Sequence, residues 1–263
     1  MRVKYKNPPI NEVIIGAYFD QPIMPLHSEH IGVFWSQIRS EFPSIQQQPE
    51  LTLPIVGPNF SIQFGMTDEP YPMPRFWLSS EDGTILIQIQ KNAFILNWRK
   101  RDGDYPHFDS VKGLFDKYFE IFLSFLRAEL RVDGVNIQVV ELTYSNLVEP
   151  GSYWANSLDT PQVLPSIAIL DVGAAPESPP DFNYVTAYRF APDLTLNVSV
   201  RTGRKATDAS KSVLVFELRA IGALGTAGKA EADRWYGRAH DTIGHCFTTM
   251  TNPDIQRDYW KEV

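Results

Sequence analysis

The residues with most chemistry to offer are eight polar side chains set in alternating segments. Gln88, Gln90, Asn97 and Arg99 lie in the first half of the chain, and Asn197, Arg201, Glu217 and Arg219 in the second. Arginine forks and amides are the groups that hold a phosphate, a carboxylate or a base edge. If the strands that carry them pair as one twisted sheet, the eight project from the face away from the helices and converge near its middle. The expected ligand-binding set is therefore Asn97, Arg99, Asn197, Arg201, Glu217 and Arg219. The plainer reading is a solvated sheet face laced with salt bridges, because antiparallel sheets commonly leave one face wet. Used catalytically, Arg99, Arg201 and Arg219 would stabilise charge on a nucleotide or phosphate ester, with Glu217 or His240 as base.

The remaining motifs read as structural. Residues 222–230, GALGTAGKA, occupy the strand-to-helix position of a phosphate cradle. Five residues separate Gly222 from Gly228 where a Walker loop has four, and Ala230 replaces the metal-binding Ser or Thr. The stretch is expected to be a flexible loop. His240 and Asp241 form a helical His-Asp pair without further ligands, and His245 lies about 140° around the helix from His240, so the two histidines cannot share an ion. His240 is expected to pack beside the sheet with Asp241 exposed. His27 and His30 lack a carboxylate or thiol partner pattern and read as surface residues. Cys246 sits in an apolar helical stripe as a small hydrophobe. No metal, cofactor or catalytic set is expected.

Composition bounds the partners. The chain has 263 residues, 43% hydrophobic and 21% charged, with a formal net charge of -7. That balance suits a globular fold with a sizeable core and supplies no overall positive field toward nucleic acid or an anionic membrane. The basic clusters Arg99, Lys100, Arg101 and Arg201, Arg204, Lys205, Lys211 leave local steering of an anionic partner open. A single cysteine excludes intramolecular disulfides. The opening MRVKYKNPPI has no apolar signal core, and no uncharged apolar run approaches the ~20 residues of a membrane span. A cytoplasmic location is expected.

These side chains need elements to place them. Residues 4–19 read as a Pro-anchored lead-in and a strand with Val13, Ile15, Ala17 and Phe19 on one face. Residues 27–42 switch to helical period, with Ser28 as cap and Pro43 as stop. Seven prolines between 43 and 74 disfavour helix and central strand, leaving a wrapping connection with an edge pairing around 60–64. A meander follows at 76–79, 85–90 and 94–99, with Phe94, Leu96 and Trp98 inward, then a helix over 108–130 ended by Gly134 and a strand over 137–146. Residues 149–181, rich in proline, are the expected boundary, with a short strand around 167–170. A second meander spans 184–190, 194–201 and 213–221, and a second long helix spans 231–250, its stripe built on Trp235, Ala239, Ile243 and Phe247. Tyr259 and Trp260 are expected to fold back onto the body.

N-P-P-I-x-E-V at Asn7 to Val13, F-W-x-x-I-R-x-x-F-P at Phe34 to Pro43, N-W-R at Asn97 to Arg99 and A-H-D-x-I-x-x-x-F at Ala239 to Phe247 fall in order along the chain. Together they resemble a sporadically distributed family of uncharacterised bacterial proteins of similar length. The resemblance supports the domain reading and implies no chemistry.

The expected fold is α+β, with two related halves, 1–148 and 149–263, each an antiparallel meander backed by a long helix, joined into one curved sheet. The expected function is a noncatalytic binding module that uses the polar sheet face or the rim loops to hold a protein, a nucleic acid or an anionic ligand. An enzyme acting on a nucleotide or phosphate ester is the alternative.

Overall fold

Nine strands, most of them alternating with period two, build one antiparallel sheet, and two long amphipathic helices cover one side of it. The computed structural model describes residues 5–52, 54, 73–170, 178–205 and 208–262. The strands are β1 (Ile10–Phe19), β2 (Ser44–Gln48), β3 (Arg75–Ser79), β4 (Ile85–Gln90), β5 (Ala93–Arg99), β6 (Ile137–Val148), β7 (Asn183–Ala191), β8 (Leu194–Lys205) and β9 (Asp208–Ala227). Their order across the sheet is β2-β3-β4-β5-β1-β6-β9-β8-β7. β1 and β6 therefore form the centre, and each is flanked by the last strand of the meander that follows it.

The helices are α1 (Ser28–Ile38), α2 (Phe108–Leu130), the short α3 (Thr160–Val163), α4 (Lys229–Met250) and the short α5 (Pro253–Ile255). The stripe of α2, Val111, Phe115, Tyr118, Phe122 and Phe125, and that of α4, Trp235, Ala239, Ile243 and Phe247, are buried in one core with the inward strand residues. Val13, Ile15, Phe94, Leu96 and Trp98 supply the sheet side of that core. Fully burying each such side chain contributes roughly 1.5–3 kcal/mol, which makes this layer the main source of stability. Trp260 is buried with it, whereas Tyr259 stays exposed.

Several boundaries differ from expectation. α1 is capped by His27, whose backbone N–H donates to His30 Nδ1 at 3.1 Å, so the pair spaced by three closes a helix start. It ends at Ile38, and Phe42 then turns inward while its carbonyl accepts from Trp35 Nε1 at 2.7 Å. α2 ends before Gly134, at Arg131, which adopts the left-handed conformation and donates its N–H to the Leu126 carbonyl. β2 appears as an edge strand directly after Pro43, paired to β3. The pairing expected around 60–64 lies outside the described residues. Residues 167–170 form no strand, although Ile167 is buried, and the expected boundary stretch contributes Trp154, Val163 and Leu164 to the common core.

The glycine-rich loop expected at 222–230 is mostly strand. β9 continues to Ala227, and Gly222 is buried where the Trp235 indole crosses it to donate to the Asp193 carbonyl at 2.7 Å. A Cβ at 222 would overlap that indole nitrogen, so glycine is required by close approach rather than by flexibility.

α2 and α4 run antiparallel. Lys112 bridges Asp116 and Asp233, Lys229 bridges the same two carboxylates from α4, and Phe108 at the start of α2 stacks on His240 at 4.2 Å. Beyond His240, α4 outruns the start of α2. The lead-in at Tyr5 and the tail at Trp260 fill part of the space left over the sheet. No helix among the described residues is long and apolar enough to cross a membrane.

Candidate functional site

The six residues expected to bind a ligand do project from the sheet face away from α2 and α4, but register spreads them out. Asn97, Ile14, Thr143, Arg219 and Asn197 form one row across β5, β1, β6, β9 and β8. At about 4.8 Å per strand, Asn97 and Asn197 stand roughly 19 Å apart. Arg99, Glu12, Ser145, Glu217 and Ser199 form the neighbouring row, which sets Arg99 roughly 14 Å from Glu217 by the same spacing. Arg201 pairs beside Val215 one step further on and is exposed.

Two of these groups are held by carboxylates of the central strands, Arg219 by Glu141 and Asn97 by Glu12. Glu141 on β6 is buried and accepts from Arg219 Nε and Nη2, both at 2.9 Å, from Tyr18 Oη at 2.8 Å and from Thr143 Oγ1 at 2.9 Å. Burial pushes the Glu141 carboxyl up, but the Arg219 charge and the four donated hydrogen bonds outweigh it and hold it below the usual range. On the β1 side of the sheet Glu12 accepts from Asn97 Nδ2 at 2.8 Å, Asn97 accepts from Gln88 Nε2 at 2.7 Å, and Gln88 accepts from Arg75 and Trp77. Glu12 precedes Ile14 by two residues and Glu141 precedes its partner Thr143 by two, so the carboxylates take matching places on the central strands. Arg99 donates Nε to the Gly83 carbonyl at 3.2 Å. Glu217 differs: burial first, then repulsion from Glu141, raises its carboxyl above the usual range.

His240, the alternative base, stands on α4 across the sheet from Arg99, Arg201 and Arg219. It cannot serve a phosphate held by those arginines. Among the described residues no cluster of three or more His, Cys, Asp or Glu is placed to hold a metal ion.

The helix side holds a different arrangement. Where α4 outruns α2, a cavity of about 280 Å³ opens between α4, the β5–α2 connection, the lead-in and the floor strands β6 and β9. Phe108, Ile243 and Phe247 line it with Tyr105, Tyr144 and Asn146. Tyr144 Oη lies 3.0 Å from Tyr105 Oη and 3.1 Å from His240 Nδ1, a chain whose direction follows the histidine tautomer. Burial pushes the Tyr105 hydroxyl well up, with the Tyr144 hydrogen bond opposing. Asn146 is 1% exposed; its Nδ2 donates to the Phe216 carbonyl at 3.0 Å, and its Oδ1 has no partner. His107, exposed at the rim, has φ 68 and ψ 158, a conformation held essentially by glycine alone. Strain of that kind gathers at binding sites.

Of this cavity, sequence reasoning singled out His240, Ile243 and Phe247 as packing residues. Tyr105, His107 and Asn146 carry no motif, and only the tertiary fold brings them together. No protein-family model and no curated protein matches this chain.

Proposed function

We propose that this chain is a noncatalytic binding module whose ligand seat is the helix-side cavity, walled in part by the rim connection between β5 and α2. The observation that carries this reading is an aromatic cavity with a few convergent polar groups, the usual form of a small-molecule site. The polar sheet face is the weaker seat, since Arg219 and Asn97 are already held by Glu141 and Glu12 and register spreads the six residues over three strands. The run of strands followed by a helix, repeated with β1 beside β5 and β6 beside β9, supports reading the chain as two related halves. The ordered motifs support placing it with the uncharacterised bacterial family they resemble, and the lone cysteine supports a cytoplasmic location.

Methyl-labelled protein titrated with a mixture of small aromatic and aliphatic fragments tests the seat. Ile243 and Ile10 border the cavity, whereas Ile14 sits on the opposite face. Fragments are expected to move Ile243 and Ile10. Gly244 lines the cavity and has open space around its Cβ position, so Gly244→Leu should abolish those shifts while helix propensity raises stability by about 0.5–1 kcal/mol. Shifts confined to Ile14, or shifts at Ile243 that survive in Gly244→Leu, would refute the cavity seat.

A further inference from the structure

The sheet ends in two unlike edges. β2, SIQQQ, is five residues long and polar. β7, NYVTAYRFA, is nine residues long, and among the described residues no strand lies beyond it. Four of its side chains are large, apolar and exposed: Tyr184 (41%), Val185 (41%), Tyr188 (45%) and Phe190 (51%). Tyr184 and Tyr188 pair with Val200 and Leu196, whose side chains enter the common core, so both rings stand on the helix side. Phe190 joins them along a groove walled on the far side by Cys246 and Met250 of α4. Edges of monomeric sheets are usually blunted by shortness, charge or proline. β7 has one charge, Arg189, no proline, and a register shift only at its end, between Arg189 and Ala191. The edge also carries outward hydrogen-bonding groups. The Thr202 N–H donates to the Phe182 carbonyl at 3.1 Å, which makes 182 and 202 a hydrogen-bonded pair. Antiparallel alternation then ties the even residues of β7 to β8 and turns the N–H and C=O of Val185, Ala187 and Arg189 outward.

We propose that β7 is the docking edge for a second copy of this chain, paired antiparallel about a two-fold axis at Ala187, perpendicular to the sheet. The axis keeps helix side with helix side and sets outward-facing odd residues against odd ones. Arg189 then meets Val185 of the second copy, Tyr188 meets Thr186, and Phe190 meets Tyr184. The one charge of the strand faces an apolar residue, and three rings from each copy gather along the seam. Centring the pair on Arg189 instead would oppose two guanidinium groups, which disfavours that register. At ~3.3 Å per residue the edge is ~30 Å long, and a sheet backed by one helix layer is roughly 15–20 Å thick. The pair therefore buries about 1,000 Å² in total, the least that a specific interface needs. A second copy supplies the missing strand and the missing rings together, with no charge opposite its like.

Sedimentation of the full chain over a range of concentrations tests the pairing. A dimer is expected at ~100 µM, dissociating at concentrations around ~10 µM, as suits an interface of small area. Ala187→Pro removes the outward N–H at the axis, and with it both central hydrogen bonds, at an edge position where proline is tolerated. It should raise the dimer Kd at least about tenfold. Ala187→Lys sets two ammonium groups directly opposite each other and should raise the Kd at least about threefold, and an equimolar mixture with Ala187→Glu should recover that loss. If Ala187→Pro does not fold, the lysine and glutamate variants decide. A chain that stays monomeric at ~100 µM overturns the second copy and leaves the edge to a strand from another protein. A dimer indifferent to all three substitutions overturns the seat on β7, and a loss that the mixture does not recover overturns the axis at Ala187. The fragment titration of the cavity is independent of these outcomes.

Discussion

Glu141 and Asn146 stand five residues apart on β6 and point to opposite faces of the sheet. Glu141 accepts four hydrogen bonds from Arg219, Tyr18 and Thr143, whereas Asn146 Oδ1 accepts none. On the first face arginine, amide and carboxylate hold strands in register, although the buried Arg75 Nε stays without a partner. The second is poorer in polar groups, yet one of them is unmatched beside a cavity. Each face thus keeps one buried polar atom unmatched, and what separates the two is the cavity that opens over the second.

The comparison breaks first at Arg219. Arg219→Met would strand the buried Glu141 charge and should cost ~3–5 kcal/mol in urea unfolding, the usual result of removing one partner of a buried pair. A loss below that of an ordinary surface substitution would mean that the network is not structural and would reopen the polar face as a site. Tyr144→Phe, on the cavity side, should cost only about 1 kcal/mol, since it removes one hydroxyl from between Tyr105 and His240. Its larger consequence should be a change in ligand affinity, read by the same methyl titration.

pH separates two carboxylates of the polar face, Glu141 and Glu217. The Glu141 carboxyl is lowered in the fold, so its stabilisation is present above the ordinary carboxylate range and is lost as pH falls through the lowered value. The Glu217 carboxyl is raised, so the folded chain keeps that proton longer, and stability falls as pH climbs from the ordinary value through the raised one. Glu217→Gln should remove that fall and leave the variant slightly more stable near neutral pH, as thermal unfolding across a pH series would show. The smallest effect belongs to Arg99→Ala, within ~0.5 kcal/mol, because that side chain meets a loop carbonyl at the sheet margin. A large loss there would erase the contrast with Arg219.

Much of the fold was legible because burial on one face imposes a period. Phe94, Leu96 and Trp98 declared their side by alternation, and Val111, Phe115, Tyr118, Phe122 and Phe125 did so by helical spacing. β2 escaped because SIQQQ lies at a sheet edge, where no core face forces an apolar alternation. The run through Gly222 looked like a loop because glycine frequency cannot distinguish freedom from close approach to Trp235. For the site, alternation gave the correct face for Asn97, Arg99, Asn197, Arg201, Glu217 and Arg219. It carried no information on how many strands lie between them. The cavity was illegible for a related reason: Tyr105, Asn146 and His240 come from three separate elements and meet only because α4 extends past the start of α2.

The central position of β1 also governs the order of events during synthesis. β1 leaves the ribosome before either neighbour exists, and its two hydrogen-bonding edges are met only when β5 and then β6 have been made. β6 in turn waits for β9, after two further strands have emerged. Such long-range pairings close slowly and leave strand edges open in the interval. The growing chain thus carries its central strands through a phase in which a chaperone, rather than the finished sheet, is the available cover.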